Sequence, residues 1–503
     1  MKEYDLAVVG SGAGLSLIDA GLQAGFTCAL VENAKFGGTC LTRGCIPSKI
    51  LVHPADLIRE AEHARAVGLG FTLDSVDWSV IARRMWGKID ESKAIERSVS
   101  HVPGLTAYKG TGEFTDPHTM RVRLADGTYT EPFRARRFVV AAGGRSFIPP
   151  VRGLEEAGYV DAERFFGEGF PEKPWESLAI IGGGAIGAEF AHIFSAFGTK
   201  VSVVEMLPRL VANEEEAVSD MLADNFRRLG IGVYTGHRAL SARRDGSRKV
   251  LEVRDETSGE VREIRCGQIL VAAGIRSNAD LLRADLAGIA TDERGWIRTN
   301  AFLETSQPHI WALGDINGKY QFRHKANYEA GILAHNLFNP SSTQQEARYD
   351  AVPWAIFTWP PIAHVGLTQR EAARTNDHLL VGTKRYSSVA KGFAMGYEDG
   401  GADDGFVKLV AGEDMRILGV HIIGPQADVL IQSFVYLMNA GYRCQAKPPE
   451  DDAPRLQSPH TCPGGSFATV GRSMVIHPSL SEVAGWAVGN LDWVHAPHGV
   501  QPG

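Results

Sequence analysis

The chain has 503 residues, enough for roughly three domains, with 44% hydrophobic residues and a net charge of −7. That balance excludes a basic nucleic-acid-binding face and a disordered chain. Glycine is in surplus, 56 residues against 24 prolines, which points to tight turns and close backbone approaches rather than linkers. The six cysteines are too sparse for a disulfide-framed secreted fold.

In chain order, MKEYDLAVVG runs straight into an apolar strand pattern and carries acidic residues, unlike a signal peptide. No stretch approaches the ~18 apolar residues of a membrane span, so a soluble, cytoplasmic protein without membrane or nucleic-acid partners is expected. Residues 4–32 read as strand, glycine turn, helix and strand, and residues 178–205 repeat that plan. Apolar strands ending in AAGGR (141–145) and ILVAAGIR (269–276) extend the two units into parallel, doubly wound sheets. After residue 350, VPWAIFTWP, FVKLV and ILGVHIIG read as an antiparallel sheet, and DVLIQSFVYLMNAG as a helix. Residues 443–466 hold five prolines and read as a loop. The expected fold is α/β: two Rossmann-like dinucleotide-binding domains plus an α+β C-terminal domain, with boundaries near Pro150, Ile275 and Tyr349.

The first glycine turn is Gly10-Ser11-Gly12-Ala13-Gly14-Leu15. Gly10 permits the turn, and Gly12 lets backbone N–H groups approach a pyrophosphate at the helix N-terminus. Leu15 stands where a third glycine is usual, and Gly14 is placed to compensate. Glu32, ending the second strand, can accept ribose hydroxyls. Taken alone, such a turn also occurs in any α/β unit. The second turn, with Gly182, Gly184 and Gly187, fits G-x-G-x-x-G in full, and Glu205 follows at the strand end. A carboxylate there favours NAD over NADP, although Lys200 and Arg209 could blunt the preference. Gly314-Asp315, after an apolar run, could set a carboxylate on a flavin ribityl chain; with both turns it indicates FAD first and NAD second.

Cys40 and Cys45 follow the first unit. In a regular helix their Cα atoms would stand about 8.6 Å apart, beyond the ~7 Å a disulfide spans. If they pair, the helix must break, with Gly44 as the joint and Pro47 in the first turn beyond it. Alone, the two read equally as structural thiols. The run Gly37-Gly38-Thr39-Cys40-Leu41-Thr42-Arg43-Gly44-Cys45-Ile46-Pro47-Ser48-Lys49 closely resembles the redox segment of the pyridine nucleotide-disulfide oxidoreductases. That family includes dihydrolipoyl dehydrogenase, glutathione reductase, mycothione reductase and mercuric reductase. The resemblance extends over both glycine turns, the AAGGR and AAGIR strand ends, ALGD, VPWAIFTWPPIAHVGLT and His477-Pro478-Ser479-Leu480-Ser481-Glu482.

The resemblance implies an FAD domain from 1–150 and 276–349, an NAD domain from 151–275, and a dimerisation domain from 350–503. It makes Cys45 the thiol against the flavin, forming a charge-transfer thiolate, and Cys40 the interchange thiol. Lys49 and Glu189 match a pair near the flavin, with Thr39 and Gly143 beside them, and Gly274 falls on the NAD side. His477 becomes the acid/base for Cys40, oriented by Glu482 and supplied by the other subunit of a homodimer. Read without the family, Ser479 to Glu482 is a capping box and His477 a surface residue.

The chain departs from the family at Arg43, which could stabilise thiolates or face solvent, and at Pro361, where the dihydrolipoyl branch is acidic. The 443–466 loop adds Cys444, His460 and Cys462, a candidate soft-metal or second disulfide set beside a plain loop. No metal site is assigned. The function expected is FAD-dependent dithiol/disulfide oxidoreduction with NAD, on a lipoyl dithiol or lipoyl-carrier protein. A glutathione- or mycothione-like disulfide, or mercuric reduction, is the alternative, the last weakened because no cysteine follows Cys462. A non-catalytic flavoprotein scaffold would not need Cys40, Cys45 and His477 together.

Overall fold

The computed structural model describes residues 1–339, 343–376, 378–412, 416–440, 443–444, 460–461 and 473–477. Leu6–Val9 and Cys28–Glu32 are buried at every position, as strands covered on both faces must be, and their unbroken apolar runs show it. Among the described residues they lie inside a five-stranded parallel sheet ordered Ile310–Ala312, Phe138–Val140, Leu6–Val9, Cys28–Glu32, Leu105–Lys109. The register pairs Leu6 with Cys28 and Val9 with Val31. Between these strands, the helix Gly14–Gln23 turns Leu17 and Ile18 inward.

The second unit repeats this arrangement. Its parallel sheet runs Gly232–Thr235, Lys200–Glu205, Ser177–Ile181, Gln268–Val271, with the helix Ala185–Ala196 after the glycine turn. Before its last strand the chain makes an antiparallel meander, His237–Asp245, Arg248–Asp255 and Val261–Cys266. The C-terminal region forms an antiparallel sheet ordered Pro353–Ile356, Ile362–Gly366, Ile417–Ile423, Phe406–Gly412, Leu379–Arg385. Ala427–Asn439 packs Ile431 and Val435 against it.

One core cluster fixes the position of the cysteine segment. Leu51 and Val52, from the helix Cys45–His63, pack with Phe190 and Phe194 of the second unit and with Ile356, Ile362 and Phe406 of the C-terminal sheet. Phe194 is fully buried between Trp175 and Phe165, a burial worth about 1.5–3 kcal/mol. The expected 443–466 loop is corrected at two places, where Arg443–Cys444 and His460–Thr461 pair as a short antiparallel ladder. Cys462 lies outside the described residues. No helix among those described is long and apolar enough to cross a membrane.

Candidate active site

The cysteine segment is two helices, Gly38–Thr42 and Cys45–His63, broken at Arg43 and Gly44. The break removes the spacing conflict that a continuous helix would impose on Cys40 and Cys45. A Cβ at Gly44 would stand 3.0 Å from the Thr39 carbonyl oxygen, so a side chain there would have to push the turn open by a few tenths of an ångström. A Cβ at Gly38 would stand 2.6 Å from the Cα of Gly12, which is how the segment sits directly on the first glycine turn.

Both cysteines are in the dithiol form. The Cys45 thiol is lowered to about 7, first by a hydrogen bond from Cys40. Burial opposes this; the Lys49 and His477 charges assist it and Asp315 opposes it. Its place in the first turn of a long helix favours the thiolate in the same sense. Cys28 and Cys266 show the contrast, since burial pushes each thiol up to about 11. Lys49 Nζ donates to Glu189 Oε2 at 2.7 Å, tying the cysteine helix to the helix that follows the second glycine turn. The other Glu189 oxygen accepts from the Phe357 N–H at 3.1 Å.

His477 Nε2 lies 3.2 Å from Cys40 Sγ. Ile476 anchors it, buried at 1% exposure in the core of the C-terminal sheet. Gln432 brackets the segment, donating to the Met474 carbonyl and accepting from the Ile476 N–H. His477 here meets Cys40 of the same chain, with Ile476 seated in the core of the C-terminal sheet. Glu482, its expected orienting partner, lies outside the described residues.

These groups open onto a cavity of about 2120 Å³. Gly10, Gly12, Glu32, Thr39, Gly143, Gly314 and Asp315 line it from the first unit, and Gly182, Gly184, Glu205 and Gly274 from the second. Cys40, Cys45, Lys49, Glu189 and His477 line the same space. A single small-ligand pocket measures about 300–1,000 Å³, so this volume suits two nucleotides. Each arm has a helix beginning just after a glycine turn, where backbone N–H groups can meet phosphate. The residues therefore fit FAD and a nicotinamide dinucleotide. Gly14 and Gly187, expected as cofactor contacts, do not line the cavity. They allow helix and strand to meet: a Cβ on Gly14 would stand 2.7 Å from Val8 Cγ1, and one on Gly187 would stand 1.9 Å from the Gly182 carbonyl oxygen.

The strand-end carboxylates also brace their own turns. Glu32 accepts from the Ser11 N–H at 2.9 Å, the Ser11 hydroxyl at 2.6 Å and the Ala34 N–H at 2.8 Å. Glu205 accepts from the N–H groups of Gly183 at 2.6 Å and Leu207 at 2.7 Å. Arg209 is engaged by Asp220 and Glu216, and neither it nor Lys200 lines the cavity. Arg43 pairs with Glu163 at 2.6 Å, so its guanidinium is directed at a carboxylate. Burial raises the Asp315 carboxyl to about 6.

Sequence reasoning missed the support beneath Asp315. Lys325 Nζ, fully buried, donates to the Gly314 carbonyl at 2.9 Å and pairs with Glu329 at 3.0 Å. Glu329 in turn accepts from the Gly314 N–H at 2.7 Å and from Asn317 at 2.8 Å. The i,i+4 spacing of Lys325 and Glu329 was the available signal, but it normally marks an exposed helix face.

The sequence pattern of the pyridine nucleotide-disulphide oxidoreductases matches residues 4–330, and that of their dimerisation domain matches residues 352–447. The dimerisation match supports a homodimer. Mycothione reductase of Mycobacterium tuberculosis is 33% identical over 88% of this chain and 94% of its own. Dihydrolipoyl dehydrogenase 3 of Haloarcula marismortui is 32% identical over 88% of this chain and 91% of its own. A Cu(II) complex of the HOCl-induced flavoprotein disulfide reductase RclA of Escherichia coli shares the fold, with a TM-score of 0.75 at 22% identity, covering 98% of this chain and 100% of that one. With two nucleotide arms meeting at a cysteine pair, the chain belongs to the pyridine nucleotide-disulphide oxidoreductase family, flavoproteins that use FAD and NAD(P)H.

Proposed function

We propose that the protein is a dihydrolipoyl dehydrogenase-like enzyme, oxidising a small or carrier-bound dithiol with NAD. The observation that carries a dithiol/disulfide reaction is the 3.2 Å approach of His477 Nε2 to Cys40 Sγ, beside a Cys45 thiol lowered to about 7. Glu205 at the second strand end supports NAD as the nicotinamide. The domain reading of 1–150 with 276–349 for FAD, 151–275 for NAD and 350–503 for dimerisation is retained, as is a cytoplasmic setting, where thiols stay reduced.

The reaction begins with the Cys40–Cys45 disulfide. His477 takes a proton from the substrate thiol, whose sulfur attacks Cys40 and releases Cys45 as a thiolate. The departing charge is held by the nearby Lys49 ammonium, itself fixed by Glu189. The second substrate thiol then attacks the sulfur joined to Cys40 while its own proton passes to the leaving Cys40 sulfur, closing the substrate disulfide. The first proton, held by His477, moves on to the Cys45 thiolate through solvent, so both protons of the substrate end on the dithiol seen here. Bound FAD supplies a two-electron relay from that dithiol to NAD. Run in reverse, the same groups reduce a disulfide.

The second reading is reduction of a low-molecular-weight disulfide of the mycothione type. It is favoured by the similarity to mycothione reductase and by Pro361 in place of an acidic residue. Turnover of dihydrolipoamide, lipoylated carrier protein, mycothiol disulfide and glutathione disulfide with NAD(H) and NADP(H) tests both. The first reading predicts the highest kcat/KM for dihydrolipoamide or the carrier with NAD, and a disulfide preferred by tenfold or more would replace it with the second.

A further inference from the structure

A second cluster of chemistry-bearing side chains, unused above, joins the second unit to the C-terminal sheet. His364 and His421 face each other in register on the adjacent strands Ile362–Gly366 and Ile417–Ile423. Glu214 reaches them from the segment before the helix Glu216–Arg228. All three are buried, at 1%, 0% and 5% exposure.

The hydrogen bonds fix where the ring protons are. His364 Nε2 contacts the Gly366 carbonyl oxygen at 2.8 Å, and His421 Nε2 the Leu367 carbonyl oxygen at 3.0 Å. A carbonyl only accepts, so both Nε2 atoms carry hydrogen and, in the neutral rings, both Nδ1 atoms carry lone pairs. His421 Nδ1 is buried without a hydrogen-bond partner. His364 Nδ1 faces Glu214 Oε2 at 3.2 Å, a lone pair set against a carboxylate. One donor atom from each residue lies within 4.8 Å of the others. The His421 Nδ1 is thus an unmatched acceptor in a buried cluster, where such a group is costly.

We propose that Glu214, His364 and His421 bind a divalent transition-metal cation of the zinc and cobalt class, through one carboxylate oxygen and two Nδ1 atoms. Two imidazoles and a carboxylate are a usual donor set for such ions. The outer contacts have the matching form, since ligating histidines generally donate their other N–H to a carbonyl. The remaining Glu214 oxygen accepts from Trp354 Nε1, which sets the carboxylate's direction. Glu214 and His364 also line the large cavity, which gives an ion a way in. A bound ion would clamp the Glu214 segment of the second unit to the C-terminal sheet.

The test uses full-length, FAD-loaded Cys40→Ser/Cys45→Ser protein, freed of metal by chelator, so that the redox thiols cannot hold the probe. Titration with Co²⁺ is expected to give visible d–d bands at one ion per chain, without sulfur-to-cobalt charge transfer, and Zn²⁺ should displace them. In that background Glu214→Gln, which keeps the side chain's shape, and His364→Gln should each weaken Co²⁺ at least about 100-fold, the upper range found for mere outer-shell changes. Absence of Co²⁺ binding, as when His364 simply carries a second proton, would overturn the proposal. So would binding unchanged in both folded variants, as judged by retained FAD.

Discussion

The two dinucleotide units have nearly the same plan but seat the glycine of the following helix by different means. In both, a carboxylate at the end of the second strand holds the turn through backbone N–H groups, Glu32 on Ser11 and Ala34, Glu205 on Gly183 and Leu207. In the second unit the tightest approach is backbone on backbone at Gly187. In the first unit Gly10 meets the Ala141 carbonyl oxygen, as Gly182 meets that of Ala272, but the helix glycine, Gly14, meets the Val8 side chain, with Leu15 occupying the third glycine position. Thus the carboxylate is common to both solutions, while the packing glycine can move by one residue. The cysteine segment lies against both, through Gly38 on the first glycine turn and through Lys49 and Glu189 on the second unit.

Variants that treat the units unequally can break this comparison. The largest effect belongs to the thiol site that joins them. His477→Gln should lower dithiol turnover by about 10²–10⁴, as expected for loss of a general acid/base, while FAD absorbance is retained. Mixed Cys40→Ser and His477→Gln chains then test where the histidine acts. If His477 serves its own chain, hybrids have no intact pair and activity stays at the level of the mutants. Recovery to roughly a quarter of the parent, as a statistical mixture of dimers with shared sites would give, contradicts this.

Next in size is the glycine contrast. Gly187→Ala forces a Cβ onto a carbonyl and should cost about 3 kcal/mol or more, whereas Gly14→Ala meets a movable valine and should cost about 1–2 kcal/mol. Thermal unfolding of the two purified variants checks the order, and equal losses would dissolve the distinction. Glu205→Gln should then shift the NADPH/NADH preference by about tenfold, some 1.4 kcal/mol. Glu32→Gln should instead loosen flavin retention and leave that ratio alone. A ratio that moves with Glu32 and not with Glu205 would exchange the roles of the two arms.

The smallest effect is in pH. Because the folded Cys45 thiol lies near 7 against an ordinary 9.0, its thiolate is favoured between those values. Its stabilising contribution is complete above about 9 and is lost as pH falls through about 7. Alkylation of the dithiol form should titrate near 7, and Lys49→Met should move that midpoint upward by less than a unit. A midpoint near 9 in the parent protein would remove the thiolate from the account.

Both glycine turns and their carboxylates were legible in the sequence because each is a local pattern, with turn, helix and strand within about thirty residues. Cys40 and Cys45 were legible for the same reason, including the helix break. His477 was legible as a residue, while the packing of Ile476 and Gln432 around it in the C-terminal region was not. The meander from His237 to Cys266 was not read because its outer strands alternate weakly, with Arg243, Arg244, Arg262 and Arg265 among their residues. Lys325 and Glu329 looked like a surface pair, and only the tertiary fold shows that both are fully buried. Sequence periodicity carries what a segment does alone, whereas these features depend on what packs over it.

The central claim, that Cys45 faces the flavin while Cys40 meets substrate and His477, is tested most directly by anaerobic titration of the FAD-loaded enzyme with NADH. The parent protein should develop a long-wavelength thiolate–flavin absorbance, Cys40→Ser should retain it or show it more strongly, and Cys45→Ser should lack it. An undiminished band in Cys45→Ser would contradict the account.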